Sequence, residues 1–343
     1  MTTAGRTPSG ATAAVRRCRS LAAHRCLGVG GLMIAALLLS CGANAVRADD
    51  VLKIAAGQMG NWPSSVAEVG QRAGIFRSYG LVLDILYTSG SGETQQAVIA
   101  NSVDVGVAAG TMGVISAFVR GAPIRIVGNE TTGASDLYWY VKASSPVRTL
   151  KDLAGHSVAY SSNGASTHGV VLAWLRNGKI DCRPVATGNM PATLTQVMSG
   201  QVDVGWAAAP DGLDQLDRNE IRYIANGNDG TAFKDQTVRV LVVNTATLAT
   251  RREVVTRFMQ AYRETARRLY ADDALLTIYA DWLHFPVAKA KRTRDDFYPW
   301  EAVDPDRIVG LDQVAADAVA FRYLAALPSA EQLAELVEVM PSR

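Results

Sequence analysis

The sequence predicts an α/β fold of two lobes, each a mostly parallel sheet flanked by helices, with a cleft between the lobes. Two observations lead to this expectation. Short apolar strands alternate with helix-length segments between residues 51 and 243, which is typical of βα units. In addition, the twelve residues 98–109 recur as 197–208 with seven identical positions. The recurrence favours one βα unit used once in each lobe.

The elements of the first lobe follow from apolar runs and from the breakers between them. A helix begins at Ser64 and closes at Gly74, and Gly/Ser/Thr-rich stretches end each strand. In order, the expected elements are strand 51–56, helix 64–73, strand 81–87, helix 93–100 and strand 103–107.

The second lobe is expected to lie between two segments that cross from lobe to lobe, near 137–142 and 238–244. Its elements are strand 157–161, helix 168–176, the strand of the second repeat copy and strand 221–225. The remaining chain predicts helices 252–270, 274–283, 312–327 and 330–339. Lobe 1 would therefore comprise 49–138 and 244–343, and lobe 2 would comprise 139–243.

The charge distribution separates a basic leader from a weakly acidic body. The 343 residues carry 34 Lys and Arg against 32 Asp and Glu, and 48% are hydrophobic. Residues 1–48 contain six Arg and no acidic residue, so 28 basic and 32 acidic side chains remain, a net charge of −4. Because phosphate neutralisation needs clustered cations, this body is not expected to bind nucleic acid.

Residues 1–48 are predicted to be a secretory signal peptide. Basic residues precede the apolar run 27–39, whose 13 residues are fewer than the about 20 that a membrane-spanning helix needs. Cleavage is expected before Asp49 or, alternatively, after Ala45. A lipobox-like LLSC sequence ending at Cys41 offers another route, in which that cysteine would carry a lipid. Both routes export the body to the periplasm.

The body offers little for catalysis, metals or cofactors. Three of the four cysteines lie in the leader, so Cys182 has no disulfide partner and is expected as a small apolar residue. The histidines are scattered, and neither a phosphate-binding loop nor a dinucleotide fingerprint occurs. Residues 164–168 begin like a nucleophile elbow but have His168 where the turn needs glycine. We expect no catalytic residue, no metal and no cofactor.

The candidate binding site lies where strands end in polar loops. Carboxyl ends of parallel strands share one edge of a sheet, and helix N-termini there attract anions through free N–H groups and the helix dipole. Helix capping is the alternative use of the same Ser and Thr side chains. The predicted ligand-binding residues are Gln58, Trp62, Ser89, Ser91, Thr111, Glu130, Asp136, Ser166, Thr167 and His168.

Three of these residues have individual interpretations. Trp62 would stack on the ligand, whereas Trp139, Trp174, Trp206 and Trp282 are expected in the core. Glu130 and Asp136 would pair with a ligand ammonium or, alternatively, remain solvated.

The ordered motifs resemble the substrate-binding proteins of bacterial ABC importers in the nitrate, sulfonate and taurine group, which also includes thiamine-precursor binders. The resemblance covers about residues 51–268 and rests on segments 73–81, 89–91, 146–155, 166–168 and 202–210. It implies a periplasmic binding protein fold with a ligand clamped between two lobes and delivered to a membrane permease. It also implies that Ser89, Ser91, Thr111, Ser166, Thr167 and His168 face the cleft.

One departure from the family pattern bears on the ligand. Taurine-type relatives have a tryptophan two residues before the proline that matches Pro210, whereas this chain has Ala208 there and Trp206 two residues earlier. We therefore expect the ligand to be a small organic anion or zwitterion other than taurine. The protein itself is expected to be a monomer. Two alternatives stay open: an enzyme on the same fold, similar to pyrimidine synthases whose cysteine-rich motif is missing here, and a receptor that serves a sensor partner.

Overall fold

The computed structural model describes residues 49–176 and 178–342. The predicted signal peptide, its cleavage sites and Cys41 lie outside the described residues. The strands are β1 (Asp50–Ala56), β2 (Leu81–Tyr87), β3 (Val105–Gly110), β4 (Ile124–Thr132), β5 (Leu137–Lys142), β6 (Ser157–Tyr160), β7 (Arg183–Ala186), β8 (Gly205–Ala208), β9 (Ile221–Asn226) and β10 (Thr237–Asn244).

Most helices lie between strands or in the C-terminal part after β10. They are α1 (Val66–Arg72), α2 (Ile75–Ser78), α3 (Ser91–Ile99), α4 (Thr111–Val119), α5 (Ser166–Arg176), α6 (Met190–Ser199), α7 (Leu213–Asp217), α8 (Thr245–Ala271), α9 (Asp273–Leu283), α10 (Val287–Phe297), α11 (Trp300–Val303), α12 (Leu311–Ala320) and α13 (Ala330–Leu336). Among the described residues, no helix combines the length and the hydropathy that crossing a bilayer requires.

A five-stranded sheet in the order β2-β1-β3-β10-β4 forms the first layered unit. Successive residues of a strand point to opposite faces of the sheet. When the side chains on both faces are apolar, other elements must cover both faces. In β10, Leu241 and Val243 belong to one core with α1, α8 and α9. Val240 and Val242 belong to a second core with α4 and α12 on the other face. The sheet is therefore sandwiched between two helix layers.

A second unit is built on β5, which lies between β8 and β9, and on the pair β6 and β7. An isolated bridge between Val158 and Val204 joins β6 to the start of β8. The core of this unit contains Trp139 and Trp174, whose ring centroids are 4.6 Å apart. The α/β fold predicted from the sequence is confirmed.

The sheets are mixed, and the expectation of mostly parallel sheets was wrong for the strands that cross between units. β1 is parallel to β2 and β3, and β6 is parallel to β7. β10 runs antiparallel to both β3 and β4, and β5 runs antiparallel to both β8 and β9. Parallel neighbours in one sheet need a crossover connection between them. A strand that comes directly from the other unit has no such crossover, and here it runs antiparallel to its neighbours.

The internal repeat occupies equivalent places in the two units. One copy contains the end of α3 and β3, and the other contains the end of α6 and β8. The aspartates of the two copies make equivalent hydrogen bonds. The Asp104 carboxylate accepts from the backbone N–H of Lys53, and the Asp203 carboxylate accepts from the backbone N–H of Ser157, both at 2.8 Å. Each aspartate thus ties its strand to the neighbouring strand of the parallel pair.

The C-terminal helices include two that the sequence did not predict, α10 and α11, and one predicted helix is much shorter than expected. The helix expected over 312–327 ends at Ala320, because Arg322 has a positive φ of 64°. The turn allows the backbone N–H groups of Tyr323 and Leu324 to bond to the carbonyl of Ala318. It also brings the Tyr323 side chain back towards the first turn of α5.

Candidate ligand-binding cleft

The strand-to-helix loops of both units converge on one cleft. β1, β2 and β3 end at the same edge of their sheet, and the loop after β6 faces them. About 40 Å³ of the cleft can be reached by the centre of a water-sized sphere, so the cleft is narrow in the described conformation. Its polar lining side chains are Gln58, Asn61, Ser64, Ser91, Ser161, Ser166 and Thr167.

Three helices of nine or more residues begin at this cleft. Ser91, Ser166 and Met190 are the first residues of α3, α5 and α6, and all three line the cavity. The N–H groups of a first helical turn lack partners within the helix, and the helix dipole adds about half a positive charge there. The N–H of Met190 is already taken by the Gln58 side chain at 3.0 Å, which leaves α3 and α5 for a ligand.

Hydroxyl pairs six residues apart brace the loops that lead into these helices. The oxygens are 2.8 Å apart in Thr88–Thr94, 2.8 Å in Ser161–Thr167 and 2.6 Å in Thr187–Thr193. The Thr167 hydroxyl also accepts a bond from the Ser161 N–H at 3.0 Å. Thr167 therefore lines the cleft while its hydroxyl holds the loop, as in the capping alternative.

The charged group of the cleft wall is Arg239, which sequence reasoning missed as a site residue. It is buried in β10, and its Nε donates to Glu130 at 2.9 Å while Nη2 donates to Asp136 at 2.5 Å. Its Nη1 donates to the Ser166 hydroxyl oxygen at 3.2 Å, which leaves the proton of that hydroxyl free for a ligand.

Glu130 and Asp136 are fully buried and paired with Arg239, and the structure places neither in the cavity lining. Burial raises the pKa of both carboxyls, although the Arg239 guanidinium acts in the opposite direction. Burial opposes the charge of Arg239 too, but the two carboxylates together keep its pKa above the ordinary value. The cluster thus neutralises the guanidinium, and a ligand meets mainly uncharged donors.

Trp62 lies in the core and does not line the cleft, whereas Trp206 lies in the core of its unit as expected and also lines the cleft. Trp62 is 1% exposed and belongs to the core, where its Nε1 donates to the Tyr270 hydroxyl at 3.2 Å and its ring meets Tyr279 edge-on. Trp206 is buried at the cleft wall, and its Nε1 has no hydrogen-bond partner within the described part of the chain. A buried indole N–H normally has a partner, so this one is available to a ligand.

Of the remaining predicted residues, Gln58 lines the cleft, whereas Ser89 and His168 are not among its lining residues. Gln58 bridges the two walls, since its Nε2 donates to the carbonyl of Ser89 at 2.9 Å and its Oε1 accepts from Met190. The His168 ring stacks on the Tyr160 ring with centroids 4.3 Å apart, and its Nδ1 is hydrogen-bonded to the Tyr323 hydroxyl. Burial lowers the pKa of His168 to about 4, so the ring is neutral at pH 7.

Thr111 lines a second, more apolar cavity beside the cleft. Met112, Phe233 and Val238 contribute to its walls, and Ser166 lines both cavities. The hydroxyl of Thr111 is buried without a hydrogen-bond partner among the described residues.

The walls of the cleft approach each other closely at two glycines. A Cβ at Gly110 would lie 2.5 Å from the carbonyl oxygen of Gly164, and a Cβ at Gly90 would lie 3.2 Å from the Ser161 hydroxyl. At Gly110 only glycine permits this approach without displacing the neighbouring loop, whereas a Cβ at Gly90 would require the Ser161 side chain to shift by a few tenths of an ångström. The described conformation is therefore one in which the two walls are in contact.

Sequence reasoning could have found Arg239 but not Trp206. A single arginine within the otherwise apolar segment 238–243 marks a buried charge that requires partners. The unpartnered indole of Trp206 depends on the packing of β8, which no local pattern reports. Among residues 49–176 and 178–342, no group of three His, Cys, Asp or Glu is arranged to hold a metal, and Cys182 is free and buried.

The fold and the cleft define a class: a periplasmic binding protein fold with a cleft between two α/β units. A family model described as NMT1/THI5 like matches residues 66–274, which is more than half of the chain. The chain belongs to the NMT1/THI5-like family. No curated protein sequence matches it significantly.

Solved structures share the fold at low sequence identity. The alkanesulfonate-binding protein SsuA of Xanthomonas axonopodis pv. citri, bound to MOPS, has a TM-score of 0.68 at 20% identity and covers 84% of this chain and 98% of its own. The aliphatic sulphonate binding protein SsuA of Escherichia coli has a TM-score of 0.61 at 19% identity, covering 82% and 91%. The nitrate-binding protein NrtA of Synechocystis PCC 6803 has a TM-score of 0.64 at 13% identity, covering 83% and 84%. These likenesses confirm the fold that the sequence resemblance implied.

Proposed function

We propose that this protein is the extracytoplasmic solute-binding component of an ABC importer, which captures a small organic anion or zwitterion and delivers it to a permease. The observation that carries the proposal is the cleft itself. It brings together the starts of helices α3 and α5, the Ser166 hydroxyl, and a Trp206 indole N–H that has no partner among the described residues. Convergent neutral donors of this kind suit a sulfonate, a carboxylate or a similar oxyanion.

The ligand would be held by closure of two lobes. We assign 49–138 and 244–343 to one lobe and 139–243 to the other, with hinges near 137–142 and 238–244. One contact between the assigned lobes supports closure as the working motion: the N–H of Met190 donates to the Gln58 side chain. A ligand that binds both walls would favour the closed state, and the changed outer surface would be read by the permease.

The remaining parts of the proposal follow from the sequence and the comparisons. The body would be exported to the periplasm by residues 1–48 and would act as a monomer, without catalytic activity. Support comes from the solved structures named above, which are binding proteins for sulfonates and nitrate. The family also contains synthases, so turnover of a pyrimidine precursor by the purified body would overturn the assignment as a receptor.

A thermal-shift screen of sulfonates, carboxylates and zwitterionic amino sulfonates tests the proposal. A ligand present at a hundred times its Kd should stabilise the folded protein by about 2.7 kcal/mol, which raises the Tm measurably. Pyrimidines serve as the comparison class, since they carry no oxyanion. A shift with pyrimidines alone, or no shift with any compound, would contradict the proposal.

A further inference from the structure

A further cavity adjoins the cleft at Met190, the residue that lines both. It lies against α6, β5, β8 and the start of α7, and the centre of a water-sized sphere can reach about 210 Å³ of it. This is more room than the cleft has in the described conformation, and it suits a small molecule. Its lining combines apolar and polar side chains, chiefly Met190, Leu194 and Ala207 with Tyr140, Asp211 and Gln215. We call it the Asp211 cavity.

Asp211 brings a half-buried carboxylate to this cavity without a directly bound cation. Among the described residues, its side chain forms no hydrogen bond and no ion pair. Lys289 acts on it only from a distance, because the Lys289 ammonium is bound to Asp214 at 2.8 Å. Burial raises the pKa of Asp211 to about 6, so the carboxyl is ionised at about pH 8. A carboxylate that is partly desolvated among apolar side chains favours a cation from solution.

Tyr140 and Gln215 add two uncharged oxygen acceptors to the same cavity. The Tyr140 ring packs over Gly205, where an added Cβ would lie 2.5 Å from its Cζ, so the position of the phenol is fixed. Burial raises the pKa of Tyr140, and the Asp211 carboxylate raises it further, because the two groups lie near each other. Neither the Tyr140 hydroxyl nor the Gln215 amide has a hydrogen-bond partner in the part of the chain that the structure describes. Three oxygen acceptors match the three N–H donors of a primary ammonium group.

We propose that the Asp211 cavity is a second binding site, which takes a primary alkylammonium ion. The ammonium group pairs with Asp211 and donates to Tyr140 and Gln215, and the alkyl chain contacts the side chains of Met190 and Leu194. This site goes beyond the proposed function, because it requires no particular ligand in the cleft.

Calorimetric titration with three matched probes tests the chemistry of the site. The probes are butylammonium, butyltrimethylammonium and butan-1-ol, which share the chain and differ in charge and in N–H donors. The titrations are carried out at about pH 8 and low ionic strength, where Asp211 is ionised and an alkylamine is protonated. We expect butylammonium to bind at least ten-fold more tightly than either of the other two, because only it offers both the charge and the donors. Equal binding of all three probes, or no binding of butylammonium, would overturn the proposal.

Two variants with the same acid-to-amide change locate the site. Asp211→Asn keeps the shape of the side chain and removes its charge, so it should weaken butylammonium binding at least ten-fold. Asp217→Asn is the matched control on α7, because Asp217 is exposed, is bound to Arg292 at 2.9 Å and does not line the cavity. Its affinity for butylammonium should stay within two-fold of wild type. An equal loss in both variants, or no loss in Asp211→Asn, would place the ammonium elsewhere and overturn the proposal.

A third variant separates the hydrogen bonds from the charge. Gln215→Leu keeps the Asp211 carboxylate and removes one uncharged acceptor. It should weaken butylammonium binding several-fold and leave butyltrimethylammonium, which has no N–H group, within two-fold of wild type. An equal effect on both cations would overturn the assignment of a primary ammonium group.

Discussion

Replacing Trp206 with phenylalanine should weaken ligand binding strongly and leave the free protein about as stable as before. The indole N–H has no partner among the described residues, so phenylalanine removes a desolvation cost of about 1–3 kcal/mol, and this gain offsets the packing that the smaller ring loses. In the complex, a hydrogen bond to a charged group contributes about 1.5–3 kcal/mol. Because about 1.4 kcal/mol corresponds to a factor of ten, the Kd should rise roughly 10- to 150-fold.

The matched control is Trp174→Phe, the same change at a buried tryptophan outside the cleft. The Trp174 Nε1 donates to the carbonyl of Asp229 at 2.7 Å, so its loss leaves an acceptor unpaired and should cost about 1 kcal/mol or more of stability. Its ligand affinity should stay within two-fold of wild type. Titration with the best oxyanion of the screen and urea unfolding measure the two quantities. If Trp206→Phe binds as tightly as wild type, the indole does not contact the ligand and the reasoning fails.

Two further predictions concern buried charge. Arg239→Met leaves Glu130 and Asp136 without their cation and should lower the free energy of unfolding by about 3–5 kcal/mol near neutral pH. Urea unfolding should show part of this stability restored at lower pH, where both carboxyls hold protons. A loss of stability that does not depend on pH would contradict the role assigned to the charge cluster. Burial, assisted by Asp214 against Lys289, raises the pKa of Asp211 to about 6. The folded carboxyl therefore keeps a proton that the unfolded chain releases, so stability falls as pH rises from about 4 to about 6. Asp211→Asn should remove this fall, worth on the order of 2 kcal/mol, and an unchanged pH profile of unfolding would refute the assignment.

The sequence predicted the elements of the fold better than their pairing. Strands such as 81–87 are apolar and bounded by breakers, so local composition was sufficient for them. The strand β4 was missed, because its second half, with Asn129 and Glu130, is polar yet buried through long-range bonds. The direction of β10 was equally inaccessible, since it depends on which strands it meets after crossing from the other unit.

The candidate site was predicted at the level of loops and less well at the level of side chains. Polar loops at strand ends indicated Gln58, Ser91 and Ser166, and all three line the cleft. A loop sequence does not reveal whether its hydroxyls bind their own backbone or point to a ligand, which is why Thr167 had two interpretations. The partners of Arg239 come from β4 and from the start of β5, and only the assembled sheet brings them together.

The most direct test is a crystal structure of the body, residues 49–343, grown with a saturating concentration of the tightest-binding oxyanion. We predict density for the charged head between the first turns of α3 and α5, within hydrogen-bond distance of the Ser166 hydroxyl and the Trp206 indole. Density for the compound elsewhere on the molecule, with this cavity filled only by water, would contradict the account.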